Sequence, residues 1–343
     1  MPAPDLSSIA RNIESWFARH QRSLPWRNTY DPYHVWVSEV MAQQTRLEVV
    51  LGYFGRFIER FPTLTALAAA SEDDVTSAWS GLGYYRRARM LREGAIDVQQ
   101  RFGGRVPSTV EELLTIPGIG RYTAGAVASI AYGTKAPIVD GNVTRIVARL
   151  FGVDAPVGSP RFWTHADALV QASNEPRNFN QGLMETGALI CKPRNPLCPM
   201  CPVNDVCVAR ATRRIDELPV KKEKQETRSL RIPLYVIRDA TGRVLLRRES
   251  GPLMTSMFHL PHGDTSLLSG RPLRVLSKEL LGTFKHAVTT RKIEFEVYAA
   301  TIAKVIRDGD GEYAWVDVAR LGDVPHPSYV RKALAVLMSV VRE

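Results

Sequence analysis

Leu114-Thr115-Ile116-Pro117-Gly118-Ile119-Gly120 and the residues that follow it, Arg121-Tyr122-Thr123-Ala124-Gly125, decide how this chain folds. Pro-Gly-x-Gly gives a tight hairpin whose glycines leave backbone N–H groups free to point outward. Upstream, Thr109 and Glu112 form a capping box ahead of Leu113 and Leu114, so a helix leads into the hairpin. Outward-facing amides at Gly118 and Gly120, together with the N-terminus of the next helix, suit a DNA phosphate and read no sequence. An ordinary helix–helix turn would use the same residues, so the motif needs support from elsewhere. It has it about twenty residues on, in Val139-Asp140-Gly141-Asn142-Val143, which opens the helical run Val143 to Leu150.

Toward the C-terminus lie the only four cysteines, Cys191, Cys198, Cys201 and Cys207, spaced C-x6-C-x2-C-x5-C. One tight cluster reads as a metal or cluster site rather than a disulfide framework. Four thiolates hold either zinc or an iron–sulfur cluster. Zinc ribbons usually present two separated C-x2-C knuckles, and this segment has one, with longer loops that wrap a single compact object.

Toward the N-terminus, Trp36-Val37-Ser38-Glu39-Val40-Met41-Ala42-Gln43-Gln44-Thr45 predicts a helix, started by Asp31-Pro32. Glu39 lies among apolar residues. A buried carboxyl has a raised pKa, which is what protonating a leaving purine requires. Leu24-Pro25-Trp26-Arg27 precedes this helix, and Gly81-Leu82-Gly83-Tyr84-Tyr85 follows it.

From residue 5 to about 210 the signals are helical, as in Ile9, Ile13, Trp16, Phe17 and in Val50, Tyr53, Phe54, Phe57, Phe61. Near residue 218 the character changes. Lys221 to Thr227 form a charged linker, and strands follow: Leu234 to Ile237, Val244 to Leu246, and the alternating Ile293, Phe295, Val297. Ser328 to Val341 closes the chain as a helix. The expected architecture is an all-α domain over 1–217, with the helix-hairpin-helix at 109–132 and the cysteine loop at 191–207, a linker over 218–231, and a smaller α+β domain over 232–343.

These motifs, together and in order, resemble the adenine DNA glycosylases of the helix-hairpin-helix, 4Fe–4S superfamily, over nearly all of residues 5 to 217 and more weakly beyond. The resemblance implies an enzyme of base excision repair that flips adenine out of duplex DNA opposite 8-oxoguanine or G and hydrolyses its glycosidic bond. It implies one 4Fe–4S cluster on the four cysteines. Glu39 matches the acid that protonates adenine N7 and later activates water. Asp140 matches the carboxylate that stabilises the oxocarbenium-like sugar, and Tyr122 and Asn142 match supporting residues. Arg22, Trp26, Arg27 and Gln181 match the adenine pocket. Gln44 and Tyr84 match side chains that enter the base stack, with Thr45 and Leu82 beside them. The C-terminal domain resembles a Nudix-like reader of 8-oxoguanine, with Phe284-Lys285-His286 where the family has a Phe-Ser-His-like loop. Lys285 departs from that pattern. Residues 263 to 282 contain one Glu, Glu279, and lack the acidic cluster of a Nudix hydrolase, which excludes pyrophosphatase activity.

Two rivals belong to the same superfamily. Endonuclease III-type enzymes carry a nucleophilic Lys after the hairpin, where this chain has Tyr122, so no Schiff base forms. Thymine–guanine mismatch glycosylases share a Tyr there but generally lack the second domain. A non-catalytic DNA-damage binder has no need of both Glu39 and Asp140. The net charge of +10 suits a polyanionic partner. No apolar run reaches the length of a membrane span. Met1 to Arg11 lacks the pattern of a secretion signal. A monomer in the cytoplasm, on the nucleoid, is the expectation.

Overall fold

The computed structural model describes residues 5–221, 228–249, 256–263, 273–288, 291–303, 306–307 and 312–340. The chain divides into two compact units, Met1–Ala69 with Met90–Glu223, and Ala70–Arg89 with Lys224–Glu343. No described helix is long and apolar enough to cross a membrane.

The helices in chain order are α1 (Leu6–His20), α2 (Pro32–Ala42), α3 (Leu47–Arg60), α4 (Leu64–Ala69), α5 (Glu72–Ala78), α6 (Arg86–Arg101), α7 (Val110–Leu114), α8 (Arg121–Ala126), α9 (Gly141–Phe151), α10 (Arg161–Gln171), α11 (Pro176–Leu189), α12 (Val208–Ala211) and α13 (Ser328–Val340). In the first unit the periodic apolar faces are buried as expected. Ile9, Ile13, Trp16 and Phe17 on α1 are all inside, as are Val50, Phe54 and Phe57 on α3. Caps set the helix starts. Asp31 accepts from the His34 N–H at 3.0 Å ahead of Pro32, and Thr109 accepts from the Glu112 N–H at 3.3 Å ahead of α7.

The hairpin joins α7 to α8. Gly118 turns it with a φ of +81°, and a Cβ there would lie 2.7 Å from the Met90 Cβ, so both conformation and space demand glycine. Leu113, Ile116 and Ile119 anchor the hairpin in the core. Past α8 the helix loosens into a π segment over Val127–Ala131.

Among the described residues the second unit carries six strands: β1 (Arg228–Val236), β2 (Val244–Arg248), β3 (Phe258–His259), β4 (Val275–Val288), β5 (Arg291–Ile302) and β6 (Tyr313–Val316). They form two sheets, ordered β1-β5-β4 and β3-β2-β6. β1 runs parallel to β5, and β4 pairs antiparallel with it. Ile293, Phe295 and Val297 of β5 face a core completed by Tyr329, Val330, Ala333 and Leu334 of α13. Two features differ from the sequence reading, the start of β1 and the grouping of Ala70–Arg89. β1 begins at Arg228, inside the stretch read as linker, because its first residues find ladder partners in Arg291 and Lys292. Most of the charged run, 222–227, lies outside the described residues. Ala70–Arg89, read as part of the helical domain, packs with the second unit.

Candidate active site and cluster loop

α2 places Glu39 in the interior, 8% exposed. Opposite it stands Tyr122, in the first turn of α8, whose hydroxyl donates to Glu39 Oε2 at 2.6 Å and lies 3.3 Å from the Met184 Sδ. Burial pushes the Glu39 carboxyl up to about 7. The Tyr122 hydrogen bond pulls against that rise, the Asp140 charge adds to it, and Arg27 opposes it. The Tyr122 hydroxyl itself is driven well above the ordinary phenol value, chiefly by burial and then by the two carboxylates, so it stays protonated as a donor.

Asp140 is the N-cap of α9. One carboxylate oxygen accepts from the Val143 N–H at 2.7 Å and the other from the Asn142 side-chain amide at 3.0 Å. Burial lifts its pKa, and these hydrogen bonds oppose the lift. Asn142 is held in turn by Arg145, which donates to its side-chain oxygen at 2.9 Å, to the Gly187 carbonyl at 2.7 Å and to the Cys191 carbonyl at 2.6 Å. A Cβ at Gly187 would come within 2.6 Å of the Asn142 Cβ, so the glycine is what lets α11 close on the start of α9.

Three of the four residues read as a pocket, Arg22, Arg27 and Gln181, are joined by hydrogen bonds. Arg27 donates to Gln181 Oε1 at 2.8 Å and to the Arg22 carbonyl at 2.9 Å. Trp26 is buried edge-on against Phe54, with ring centroids 4.9 Å apart. Both arginines are tied by a residue the sequence reading missed, Glu185 on α11. It accepts from Arg22 Nε at 2.8 Å, the Arg22 N–H at 2.9 Å and Arg27 Nη2 at 2.7 Å. Burial raises the Glu185 pKa, and the bonds from Arg27 and Arg22 outweigh it, so the carboxyl sits below its ordinary value. Two carboxyls on neighbouring walls are thus set apart, Glu39 near neutral pH and Glu185 firmly ionised.

The helix read over residues 36–45 stops at Ala42. Gln43 caps it and bonds Thr123 Oγ1 at 3.2 Å. Gln44 then adopts a left-handed φ of 56° and is exposed, with Thr45 partly buried beside it. Tyr84, in the second unit, has the same signature, with a φ of 48° and 47% exposure, whereas Leu82 two residues earlier is buried. Such backbone strain in bulky residues needs a surrounding structure that enforces it. Gly120 is the N-cap of α8, and no side-chain hydrogen bond caps this helix.

Phe284-Lys285-His286 does not form a loop. It lies within β4, paired with Phe295, Glu294 and Ile293 of β5. The reason is in the pairing itself. Phe284 packs on Phe295 at 5.3 Å, and Lys285 sits directly across from Glu294, an opposite-charge pair that favours the ladder. Phe284 and His286 are half-buried, and Lys285, on the other face, is exposed.

Cys191, Cys198, Cys201 and Cys207 are free thiols lining one cavity, with Arg149, Ile190, Pro196 and Ile215 among its walls. Among the described residues, no three His, Cys, Asp or Glu side chains are close enough to hold a single metal ion. Four sulfurs around a shared void, rather than gathered on one centre about 2.3 Å away as in a zinc site, suit a cluster. Burial pushes the Cys201 thiol to about 11; the Val203 N–H opposes this and the other three sulfurs add to it, a crowding that iron relieves. Arg149, 3% exposed, ties the loop down through the Leu218, Lys192 and Pro193 carbonyls.

A helix-hairpin-helix body with a buried Glu–Tyr pair beside a capping Asp, and a four-cysteine loop behind it, defines the class of base-excision glycosylases. In agreement, residues 37–159 match the family described as HhH-GPD superfamily base excision DNA repair protein, and residues 191–207 match the iron-sulfur binding domain of endonuclease III. The chain is 33% identical over 260 residues to an adenine DNA glycosylase of Buchnera aphidicola, covering 74% of this chain and 75% of that protein, and it belongs to the adenine DNA glycosylase family. It is 44% identical over 226 residues to the adenine DNA glycosylase of Rattus norvegicus, covering 62% of this chain and 43% of the rat protein; it thus spans less than half the length of that relative. A thermostable thymine-DNA glycosylase of known structure superimposes with a TM-score of 0.56 at 30% identity, covering 60% of this chain and 97% of that one. The cysteine loop carries a 4Fe–4S cluster.

Proposed function

We propose that this chain is an adenine DNA glycosylase of base excision repair, acting on adenine opposite 8-oxoguanine or G in duplex DNA. The observation that carries the reading is Glu39, a carboxyl whose burial holds its pKa near 7 while it bonds a protonated Tyr122 and feels the charge of Asp140, the N-cap of α9. At neutral pH such a group holds a proton and gives it up readily. Glu39 passes that proton to N7 of the flipped adenine. The bond from C1′ to N9 breaks with its electron pair going to the base, which leaves as neutral adenine. Positive charge develops on the sugar, and the Asp140 carboxylate stabilises it. Glu39, now ionised, takes a proton from water as the water oxygen bonds to C1′, and the enzyme returns to its starting state. Arg22, Trp26, Arg27 and Gln181 line the base pocket, with Glu185 as the acceptor that fixes both arginines. With Tyr122 rather than an amine after the hairpin, the enzyme is monofunctional and leaves the strand intact.

The second unit acts as a Nudix-like reader of the opposite strand, with Phe284 and His286 on one face of β4 as its lesion contacts and Lys285, on the opposite face, as a phosphate contact. Tyr84 and Gln44, both exposed, enter the base stack, with Leu82 and Thr45 close to them in sequence. The amides of Gly118 and Gly120 hold the DNA backbone. The net charge of +10 supports duplex DNA as the partner. The protein works as a monomer at the nucleoid.

A single-turnover assay on three duplexes tests the reading. Adenine release is expected opposite 8-oxoguanine and, more slowly, opposite G, with product DNA intact until alkali is added. Faster release of T opposite G than of either adenine, or covalent trapping by borohydride, overturns it.

A further inference from the structure

Tyr84 does not stand on a loose loop. Trp79, fully buried, donates its indole N–H to the Gly83 carbonyl at 3.2 Å, and Arg87 donates to the same carbonyl at 3.2 Å while stacking over the Trp79 and Tyr84 rings. The turn needs positive φ at Gly81 and Gly83. Its underside is fastened to the segment just ahead of α13. Tyr85 donates to the His326 carbonyl at 2.9 Å and Ser80 to the same oxygen at 3.4 Å, while Ser77 reaches the Asp323 carbonyl at 3.4 Å. Arg248 of β2 adds a bidentate pair with Asp73, at 3.0 and 2.5 Å. His326 is rigidly set: its Nδ1–H donates to the Val324 carbonyl, and Nε2 accepts from Arg331, both at 2.9 Å.

Three residues beyond His326, the fully buried Tyr329 ring stacks on Phe295 at 4.4 Å, meets His286 edge-on at 5.9 Å and bonds His259 through its hydroxyl. The segment leading into α13 and the first turn of that helix therefore touch both elements assigned to the lesion, the Tyr84 turn through His326 and the β4 residues through Tyr329. Only Pro327 and Ser328 separate these two points, so a displacement of one is passed to the other over a very short stretch of backbone.

We infer that Asp323–Tyr329 is a mechanical joint coupling Phe284 and His286 to the stance of Tyr84, and that Ser80 and Tyr85 are positioning residues for lesion selectivity. The inference rests on the proposed reading of Tyr84 and His286 as lesion contacts. Contact of the opposite base with β4 bears on Tyr329, and through the backbone to His326 it sets how firmly the Tyr84 ring is held in the stack. Neither Ser80 nor Tyr85 need touch DNA.

The test uses the full chain with its cluster. Tyr85→Phe deletes the hydroxyl and keeps the ring. Three quantities are measured: the ratio of single-turnover adenine release opposite 8-oxoguanine to that opposite G, the fluorescence of a 2-aminopurine next to the 8-oxoguanine as a report of stacking, and the thermal midpoint. The expected result is a selectivity ratio about three-fold or more lower and altered fluorescence, with release opposite G within two-fold and iron content unchanged. Ser77→Ala, which loses one bond to Asp323, should act in the same direction more weakly and serves if Tyr85→Phe does not fold. The double variant Tyr85→Phe with His286→Ala should lose no more selectivity than the stronger single, because both break one chain of contacts. Selectivity losses that multiply, or equal losses opposite 8-oxoguanine and G, overturn the joint. An unaltered protein without preference for 8-oxoguanine, or a Tyr84→Ala variant with full selectivity, instead sinks the reading beneath it, and the joint with it.

Discussion

Tyr122→Phe removes one oxygen from the site, and its consequence runs against intuition. The Tyr122 hydroxyl donates to Glu39 at 2.6 Å, and a donor aimed at a carboxylate stabilises the ionised form. With that donor in place, burial still carries Glu39 to about 7. A hydrogen bond to a charged group contributes roughly 1.5–3 kcal/mol, and one pKa unit is about 1.4 kcal/mol. Deleting the donor should therefore raise Glu39 by roughly one to two further units. On the proposed assignment adenine release needs the proton on Glu39, so the alkaline limb of the rate profile reports this group. The unaltered enzyme should lose activity as pH climbs through about 7, and the variant should hold its own plateau to a pH about one to two units higher. Single-turnover release across pH 5 to about 9.5, at constant ionic strength, separates the position of the limb from the height of the plateau, which falls if Tyr122 also orients the acid. A limb that stays put, or moves to lower pH, refutes the assignment of Glu39 as the acid restrained by Tyr122.

Glu39→Gln should cut adenine release by about 10²–10⁴-fold while mismatch binding persists, since the amide keeps the shape and lacks the proton. The same variant should change the pH dependence of stability. Between the ordinary 4.5 and about 7 the folded chain keeps a proton that the unfolded chain has released, so stability present below 4.5 is lost as pH rises through that window, by about 3 kcal/mol. Urea melts at pH 4 and 8 should show that loss in the parent and not in Glu39→Gln. Cys198→Ser should lower iron from about four per chain and reduce DNA affinity, read by metal analysis and band shift. Gly118→Ala meets both a φ of +81° and the Met90 Cβ, so it should destabilise the hairpin by roughly 1–3 kcal/mol and weaken binding to every duplex alike. Sequence-selective weakening in a binding titration would contradict a backbone clamp.

How much was legible from sequence follows from the range of each interaction. The hairpin, the Asp31 and Thr109 caps and the cysteine loop are local patterns, and each stands where its residues put it. Glu185 was invisible because its meaning lies in Arg22 and Arg27, more than 150 residues away in the chain, and nothing next to it marks it as buried between two guanidinium groups. The alternation of Ile293, Phe295 and Val297 announced a strand, but could not say that β1 would lie parallel to it. The strand at Phe284-Lys285-His286 was missed for a similar reason, since the partners that hold it, Glu294 and Phe295, belong to the next strand. Ala70–Arg89 reads as helix wherever it packs. Its place with the second unit depends on hydroxyls of Ser77, Ser80 and Tyr85 finding the Asp323 and His326 carbonyls, a pairing with no sequence period.

Asp140 caps α9 and, on the proposed reading, also stabilises the developing cation, and a single substitution separates the two roles. As N-cap it accepts from Val143 at 2.7 Å, and Asn caps about as well as Asp, so Asp140→Asn should leave α9 and the thermal midpoint nearly unchanged. What it removes is charge. A unit charge about 4 Å from a developing cation, at an effective dielectric near 20, stabilises it by roughly 4 kcal/mol, or about 10³-fold in rate. The same charge also raises Glu39, so its loss should shift the alkaline limb to lower pH, opposite in sign to Tyr122→Phe. Asp140→Ala loses the cap as well, and should add about 1 kcal/mol of instability to the same rate defect. The two limbs and the melting curve together leave little room for a purely structural account. An Asn variant that released adenine within ten-fold of the parent rate would leave Asp140 a helix cap and nothing more, and the cation would then have to be stabilised by some other group.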